Sequence, residues 1–397
     1  MDLSDRVKKV KPSATLAVSA AAKAMKAQGI DVIGFGAGEP DFDTPDHIKQ
    51  AACQALAAGF TKYTAESGID ELKLAVAAKL KKDNGLTYDK SQVIVSCGGK
   101  HCLFNLYMAV LNPGDEVIIP APYWVSYPDM ALLADAKPVF IKTTEKTGFK
   151  IKPAQLEKAL TDKTKLVVLN SPSNPTGSAY TEAELKGLAR VLQHHQTYVV
   201  SDDNYESIVY DGFKFCSIAM VASPDLLERT IVVNGVSKTY SMTGWRIGYA
   251  AGPKPVIAAM SKIQGQSTSN PTSFAQKGAV AALTGKQGFL KTMVSEFKRR
   301  RNYAVKTLSA MPGVTCYNPQ GAFYVLPNFS AYLGKKWNGK PIADDVELCN
   351  YLLHAVKVAA VPGSAFGAPG HIRISYCTSM DNIKEGLKRI AAGIAKL

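Results

Sequence analysis

The chain has 397 residues, 46% of them hydrophobic and 20% charged, with a net charge of +14. Such a composition builds a large core and excludes a disordered or fibrous chain. The positive balance points to anionic ligands, but the lysines are scattered and no helix-turn-helix, zinc-finger or RNA-binding signature accompanies them, so no nucleic-acid partner is expected.

The first ten residues, MDLSDRVKKV, lack an apolar signal core, and no run of 18 apolar residues occurs. A cytoplasmic protein without a membrane partner is therefore expected. Seven cysteines, odd in number and without a CxxC pair, predict free thiols in a reducing compartment. Residues 1–44 hold one short helix candidate and a Gly/Pro-rich loop, read as an N-terminal arm and part of a small domain. From 45 to 289, β-rich apolar runs alternate with helical patterns, as expected of one large domain. Residues 92–96 read as a strand. A helix over 100–111 follows, and Asn112-Pro113-Gly114 ends it. Residues 116–119 and 165–169 are the next strands. Thr181 with Glu184 makes a capping box for a helix running to about His194. Residues 198–200 and 231–233 are further strands. Continuous apolar strands separated by helices predict an α/β fold with a mostly parallel sheet covered on both faces. From 290 to 397 the pattern changes to a smaller α+β domain: a charged helix near 290–308, then strands at 321–326 and 371–375. The basic runs at 79–82 and 298–301 lie in helical patterns and read as solvated faces.

Open parallel sheets bind ligands beyond the carboxyl ends of their strands. The strand at 92–96 is followed by CGGK, with Gly98 and Gly99 at a helix entry. The strand at 165–169 leads into NSPSNPTG, which offers Asn174. After 198–200 comes SDDNYE, with Asp202, Asp203 and Tyr205. After 231–233 comes NGVSK, ending in Lys238, and Arg246 stands eight residues further on. This set suits a phosphorylated heteroaromatic aldehyde. Helix N-terminal N–H groups hold phosphate. An aspartate pairs with a protonated ring nitrogen, an amide or phenol bonds a ring hydroxyl, and a lysine forms an imine with the aldehyde. A pyridoxal phosphate enzyme needs these parts. The lysine must be neutral to attack, against a reference pKa of about 10.4. Apolar packing and the Arg246 charge both lower it, and Arg246 also grips phosphate oxygens. Gly98-Gly99-Lys100 lacks the rest of a P-loop, and Gly34, Gly36 and Gly38 lead into Glu39-Pro40-Asp41 rather than a dinucleotide-binding helix. The six histidines show no metal spacing, so no metal is expected.

The stretch SKTYSMTGWRIGY (237–249) closely resembles the cofactor-lysine motif of fold type I pyridoxal phosphate-dependent aminotransferases. GAGEPDFDTP (36–45), TKYT (61–64), GGK (98–100), APYWVSYP (121–128), NSPSNPTG (170–177), SDDNYE (201–206), GAFYV (321–325) and RISY (373–376) extend the resemblance over the whole chain. Together they resemble the bacterial aspartate aminotransferases of subgroup Ib, many of which also accept prephenate. The resemblance implies that Lys238 forms the cofactor imine and carries protons, Asp202 pairs with the ring nitrogen, Asn174 and Tyr205 bond the ring hydroxyl, and Trp124 stacks on the ring. Gly99, Lys100, Ser237 and Arg246 would complete the cofactor site, with Tyr63 arriving from the partner of a homodimer. Arg373 would hold the substrate α-carboxylate, beside Asn174, Trp124 and the backbone of Gly38. Lys100 matches a side-chain carboxylate contact, and Lys11 a position associated with prephenate. The implied reaction moves an amino group between L-aspartate and 2-oxoglutarate. His101-Cys102 and Asp203-Asn204 depart from the pattern, and the first pair is expected to alter the substrate-pocket lining. An aromatic aminotransferase or a C–S lyase on the same cofactor are the alternatives. A DNA-binding regulator of this fold would carry an extra N-terminal domain, for which a resemblance beginning near residue 11 leaves no room.

Overall fold

The structure is a computed structural model that describes residues 2–397. Its strands are β1 (Ile33–Gly34), β2 (Val93–Ser96), β3 (Glu116–Ala121), β4 (Lys137–Lys142), β5 (Thr164–Asn170), β6 (Tyr198–Asp202), β7 (Thr230–Gly235), β8 (Gly248–Ala251), β9 (Tyr324–Val325), β10 (Lys336–Trp337), β11 (Lys340–Pro341), β12 (Val358–Ala359), β13 (Val361–Pro362) and β14 (Ile372–Ser375). Seven of them form one sheet in the order β2-β8-β7-β6-β5-β3-β4. Only β8 pairs antiparallel, with β7 and β2. It follows that β2 runs with β7, and the carboxyl ends of β2, β5, β6 and β7 lie on one edge.

Every residue of β2 and β7 is buried, as a sheet covered on both faces requires. Successive side chains serve opposite faces. Ile94, Val168 and Val233 join the core under the helices Gly99–Val110 and Lys254–Gly265. Val93, Val95 and Val232 join a second core, and Val167 and Leu169 a third. The capping box of Thr181 and Glu184 forms, although its helix stops at Leu192, short of His194. The stretch 321–326 is strand only at Tyr324–Val325.

Two strands of the seven-stranded sheet were not expected. β4 is an edge strand with five of its six residues at least partly exposed and Pro138 within it, so it shows no buried run. β8, Gly-Tyr-Ala-Ala, has no β-branched residue. Gly248 is required there, because a Cβ would collide with the backbone nitrogen of Gly99.

A three-stranded antiparallel sheet, β13-β14-β9, packs with the helices Phe289–Ser309, Asp345–His354 and Met380–Ile394 around Phe297, Phe323, Leu352 and Leu387. The N-terminal stretch bridges both parts. Its helix Ala14–Ala27 packs on β12 and β13, and β1 pairs with β12. Ahead of that helix, Arg6 and Lys9 reach Asp135 at 3.1 and 3.0 Å.

The basic runs are not wholly solvated faces. Lys81, Lys82, Lys298 and Arg299 are exposed, but Lys79, Arg300 and Arg301 are buried. Lys79 pairs with Glu206, Arg300 with Asp41 at 2.6 Å, and Arg301 with Asp211 at 2.6 Å. Each acid comes from a distant segment, so the helical pattern alone hid the pairing. Among the described residues, no helix is long and apolar enough to cross a membrane.

Candidate active site

A cavity of about 260 Å³ opens at the common carboxyl edge. Every predicted site residue lines it except Lys11 and Tyr63. Asp202 ends β6 and is buried. Its Oδ2 accepts from the Tyr127 hydroxyl at 2.5 Å, and Oδ1 accepts from the Asn204 amide at 2.8 Å. Burial pushes this carboxyl up, against the pull of those two hydrogen bonds and of Lys238.

Lys238 Nζ donates to the Gly38 carbonyl at 2.6 Å. Its pKa is pushed down to about 8, chiefly by burial, with Arg246 and Arg373 adding to the shift while Cys377 and Glu39 oppose it. The predicted direction and its cause are both present. The helix Gly99–Val110 begins after Gly98, whose φ of 93° suits glycine. A Cβ on Gly98 would run into the Arg246 guanidinium, so the chain passes closely under that cation. Arg246 itself has a left-handed φ of 57° and is held by the carbonyls of Thr243 and Cys97 at 2.8 and 3.2 Å. Ser237 is buried and lines the same cavity.

Arg373, on β14, is 2% exposed. One Nη donates to Asn174 Oδ1 at 3.0 Å and the other to the Gly36 carbonyl at 2.7 Å, while Nε has no partner. Tyr324 and Phe366 lie over its guanidinium at 4.7 and 4.9 Å. Lys100 Nζ sits 5.0 Å from the Trp124 ring centre, and burial and Arg246 lower its pKa. Lys11 is exposed, outside the cavity, and its charge reaches Asp129, as does that of Lys100. Tyr63 is 91% exposed.

His101 and Cys102 do not line the cavity, contrary to expectation. The His101 ring accepts from the Cys97 N–H at 3.4 Å, and Cys102 is fully buried in the core under the sheet. Their helix turns Cys102 into the core and His101 toward a neighbouring pocket that it shares with Lys100 and Arg246. Of the second departure, Asn204 bonds Asp202. Asp203 points into the protein, takes a hydrogen bond from Ser201 at 2.7 Å, and is pushed up to about 8 by burial and by Glu206. Sequence reasoning assigned no role to Tyr127, Asn204 or Tyr324, although all three lie within the matched motifs.

These residues fit pyridoxal phosphate. Asp202 is a buried acid facing the cavity with only neutral hydrogen-bond donors, which leaves a place for a protonated ring nitrogen. Gly99 N–H at a helix start, Ser237 and Arg246 make an anion cradle. Lys238 is an amine poised between them.

The family model of aminotransferases of class I and II matches residues 30–390. The chain is similar to an aspartate/prephenate aminotransferase of Cereibacter sphaeroides, 54% identical over 397 residues, covering 100% of this chain and 99% of the relative. An aspartate aminotransferase of Bacillus subtilis is 48% identical over 396 residues, with 100% of each chain covered. The crystal structure of the aspartate aminotransferase from Rhizobium meliloti matches with a TM-score of 0.96 at 48% identity, covering 100% of both chains. That of Thermus thermophilus with maleate matches at 0.93 and 44% identity, over 99% of this chain and 100% of the other. A seven-stranded, mostly parallel sheet with a lysine, an acid and an anion cradle at its carboxyl edge agrees with these matches: the chain belongs to the class I and II aminotransferases, enzymes that work with pyridoxal phosphate.

Proposed function

We propose that the chain transfers the amino group of L-aspartate to 2-oxoglutarate, giving oxaloacetate and L-glutamate. The observation that carries this reading is the pairing of a buried arginine, Arg373, with Lys100 in one cavity. A dicarboxylate needs two cations, and a guanidinium with a free Nε suits a carboxylate approached edge-on. Relatives named aspartate aminotransferases support the choice of substrate.

The cofactor supplies an aldehyde that takes the amino group and a ring that withdraws electrons from the substrate α-carbon. Gly99, Ser237, Arg246 and Lys100 border its binding place, with Trp124 shielding one side from water. Asp202 keeps a negative charge toward the ring nitrogen. Asn174 and Tyr205 donate to the ring oxygen. Arg373, Asn174 and the Gly38 backbone orient the substrate α-carboxylate, and Lys100 takes the distal one. Neutral Lys238 accepts the proton from the substrate α-carbon at Nζ and returns it on the other side of the exchange.

The acting form is a homodimer in the cytoplasm, in which the exposed Tyr63 completes the neighbour's phosphate cradle. Residues 45–289 form the cofactor-binding domain, and 290–397 with part of 1–44 the small domain. Prephenate is a second acceptor, favoured by relatives of that name and by the charge of Lys11, which acts on the same Asp129 as Lys100 does. Absence of turnover with glutamate and prephenate would reject that extension. The main reading is tested with Arg373→Ala. Its kcat/KM for aspartate is expected to fall on the order of 100-fold or more, about 3 kcal/mol. Near-normal turnover of aspartate would remove Arg373 from the site.

A further inference from the structure

We propose that Tyr324 is a positioning residue that serves the cofactor pocket and the carboxylate pocket at once, through its hydroxyl and its ring face respectively. The inference rests on the roles given above to Tyr205 and Arg373.

Geometry sets the first half. Tyr324 is fully buried and lines the cavity. It stands on β9 opposite Ser375 of β14. Arg373 is two residues from Ser375, so it projects from the same face and meets Tyr324 diagonally across the pair. The guanidinium lies 4.7 Å from the Tyr324 ring centre, with Phe366 at 4.9 Å. A cation buried this far has little water to hold it, and two aromatic faces replace part of that hydration.

Proton counting sets the second half. The hydroxyls of Tyr205 and Tyr324 are 2.9 Å apart, and only one of them donates in that contact. If Tyr205 spends its hydrogen on the ring oxygen of the cofactor, Tyr324 must be the donor to Tyr205. A phenol that receives a hydrogen bond becomes a better donor itself. Tyr324 thus strengthens the Tyr205 contact without touching the ring. The Tyr324 hydroxyl also lies 3.1 Å from the point where a Cβ on Gly38 would stand, and Gly38 is the residue whose carbonyl holds Lys238. One side chain therefore borders the residue that holds the acid–base lysine, the ring-oxygen donor and the substrate cation.

Two substitutions separate the halves. Tyr324→Phe keeps the ring face and removes the hydroxyl. Tyr324→Leu removes both. Three readouts are taken on the loaded enzyme: the pH midpoint of its visible-absorbance titration, kcat, and KM for aspartate. A fourth, on the apoprotein, is the affinity for succinate, a dicarboxylate that has no amino group to react. For Tyr324→Phe the titration midpoint is expected to rise, because a weaker Tyr205 donor leaves the ring oxygen more basic. Its kcat is expected to fall roughly 3- to 10-fold, with KM and succinate affinity within about 2-fold. For Tyr324→Leu, succinate affinity is expected to weaken roughly 3- to 30-fold as well. A Phe variant with an unmoved titration midpoint overturns the hydroxyl role. A Leu variant with wild-type succinate affinity overturns the platform role. Arg373→Ala, run alongside, tells this failure from failure of the underlying reading. If that variant also binds succinate normally, the carboxylate assignment is at fault rather than Tyr324.

Discussion

At Lys238 the competition is between burial, which favours the neutral amine, and the ordinary preference of an ammonium for water. Burial wins by enough to bring the pKa from 10.5 to about 8, roughly 3 kcal/mol. The sign follows directly: below pH 8 the amine is mostly protonated and unreactive, and above it mostly free. The rate at which apoprotein takes up pyridoxal phosphate is expected to rise about tenfold per pH unit below 8 and to level off above it. Stopped-flow absorbance measures this, and a rate still climbing at pH 10 would mean an unperturbed lysine. Lys238, Asp202 and Arg373 were legible because each follows or sits in a recognisable strand and motif. Tyr127 and Asn204 were not, since their roles are hydrogen bonds to Asp202 that exist only once the chain is folded. Cys102 misled for the opposite reason: two positions past Lys100 on a helix, it faces the core, while His101 borders the neighbouring pocket rather than the cavity itself.

At the scale of elements, the strand ends are held by a buried polar cluster beneath the site. Glu206 pairs with Lys79 and accepts from Asn84 at 2.9 Å and Asn234 at 2.8 Å. Asn84 closes the helix Asp70–Asn84, and Asn234 lies near the end of β7. Glu206 follows Tyr205, so the cluster ties the loop after β6 to the strand that leads to Lys238. Glu206→Gln removes the buried counter-ion of the Lys79 ammonium and leaves it only the half-exposed Asp83, at 3.8 Å. The unfolding free energy of the apoprotein, read from urea denaturation, is expected to drop about 3 to 5 kcal/mol. A loss below about 1 kcal/mol would mean that water reaches Lys79. The strands bearing this cluster were readable from their apolar runs. β4 was not, because its short apolar run Val139-Phe140-Ile141 follows a proline, is flanked by lysines and lies on an exposed edge, and β8 was not, because it has no β-branched residue and is defined by what its Gly248 must pass.

Over the whole molecule, one antiparallel strand decides the outcome. Because β8 lies between β2 and β7, those two strands run together, and Gly99 is brought to the same edge as Asn174, Asp202 and Lys238. The sequence supported that convergence only as a condition on a shared edge; sheet order is a property of the assembled fold. The partner subunit is the remaining part. Sedimentation at micromolar concentration is expected to give twice the 42.6 kDa chain mass, and a fully active species at the single-chain mass would contradict the role of Tyr63. The most direct test of amino-group transfer is a half-reaction: L-aspartate alone is added to the loaded enzyme, with no keto acid present. The expected result is one oxaloacetate per site with loss of the aldehyde absorbance, recovered on adding 2-oxoglutarate. Continuous product release without an acceptor, or no product at all, would contradict it.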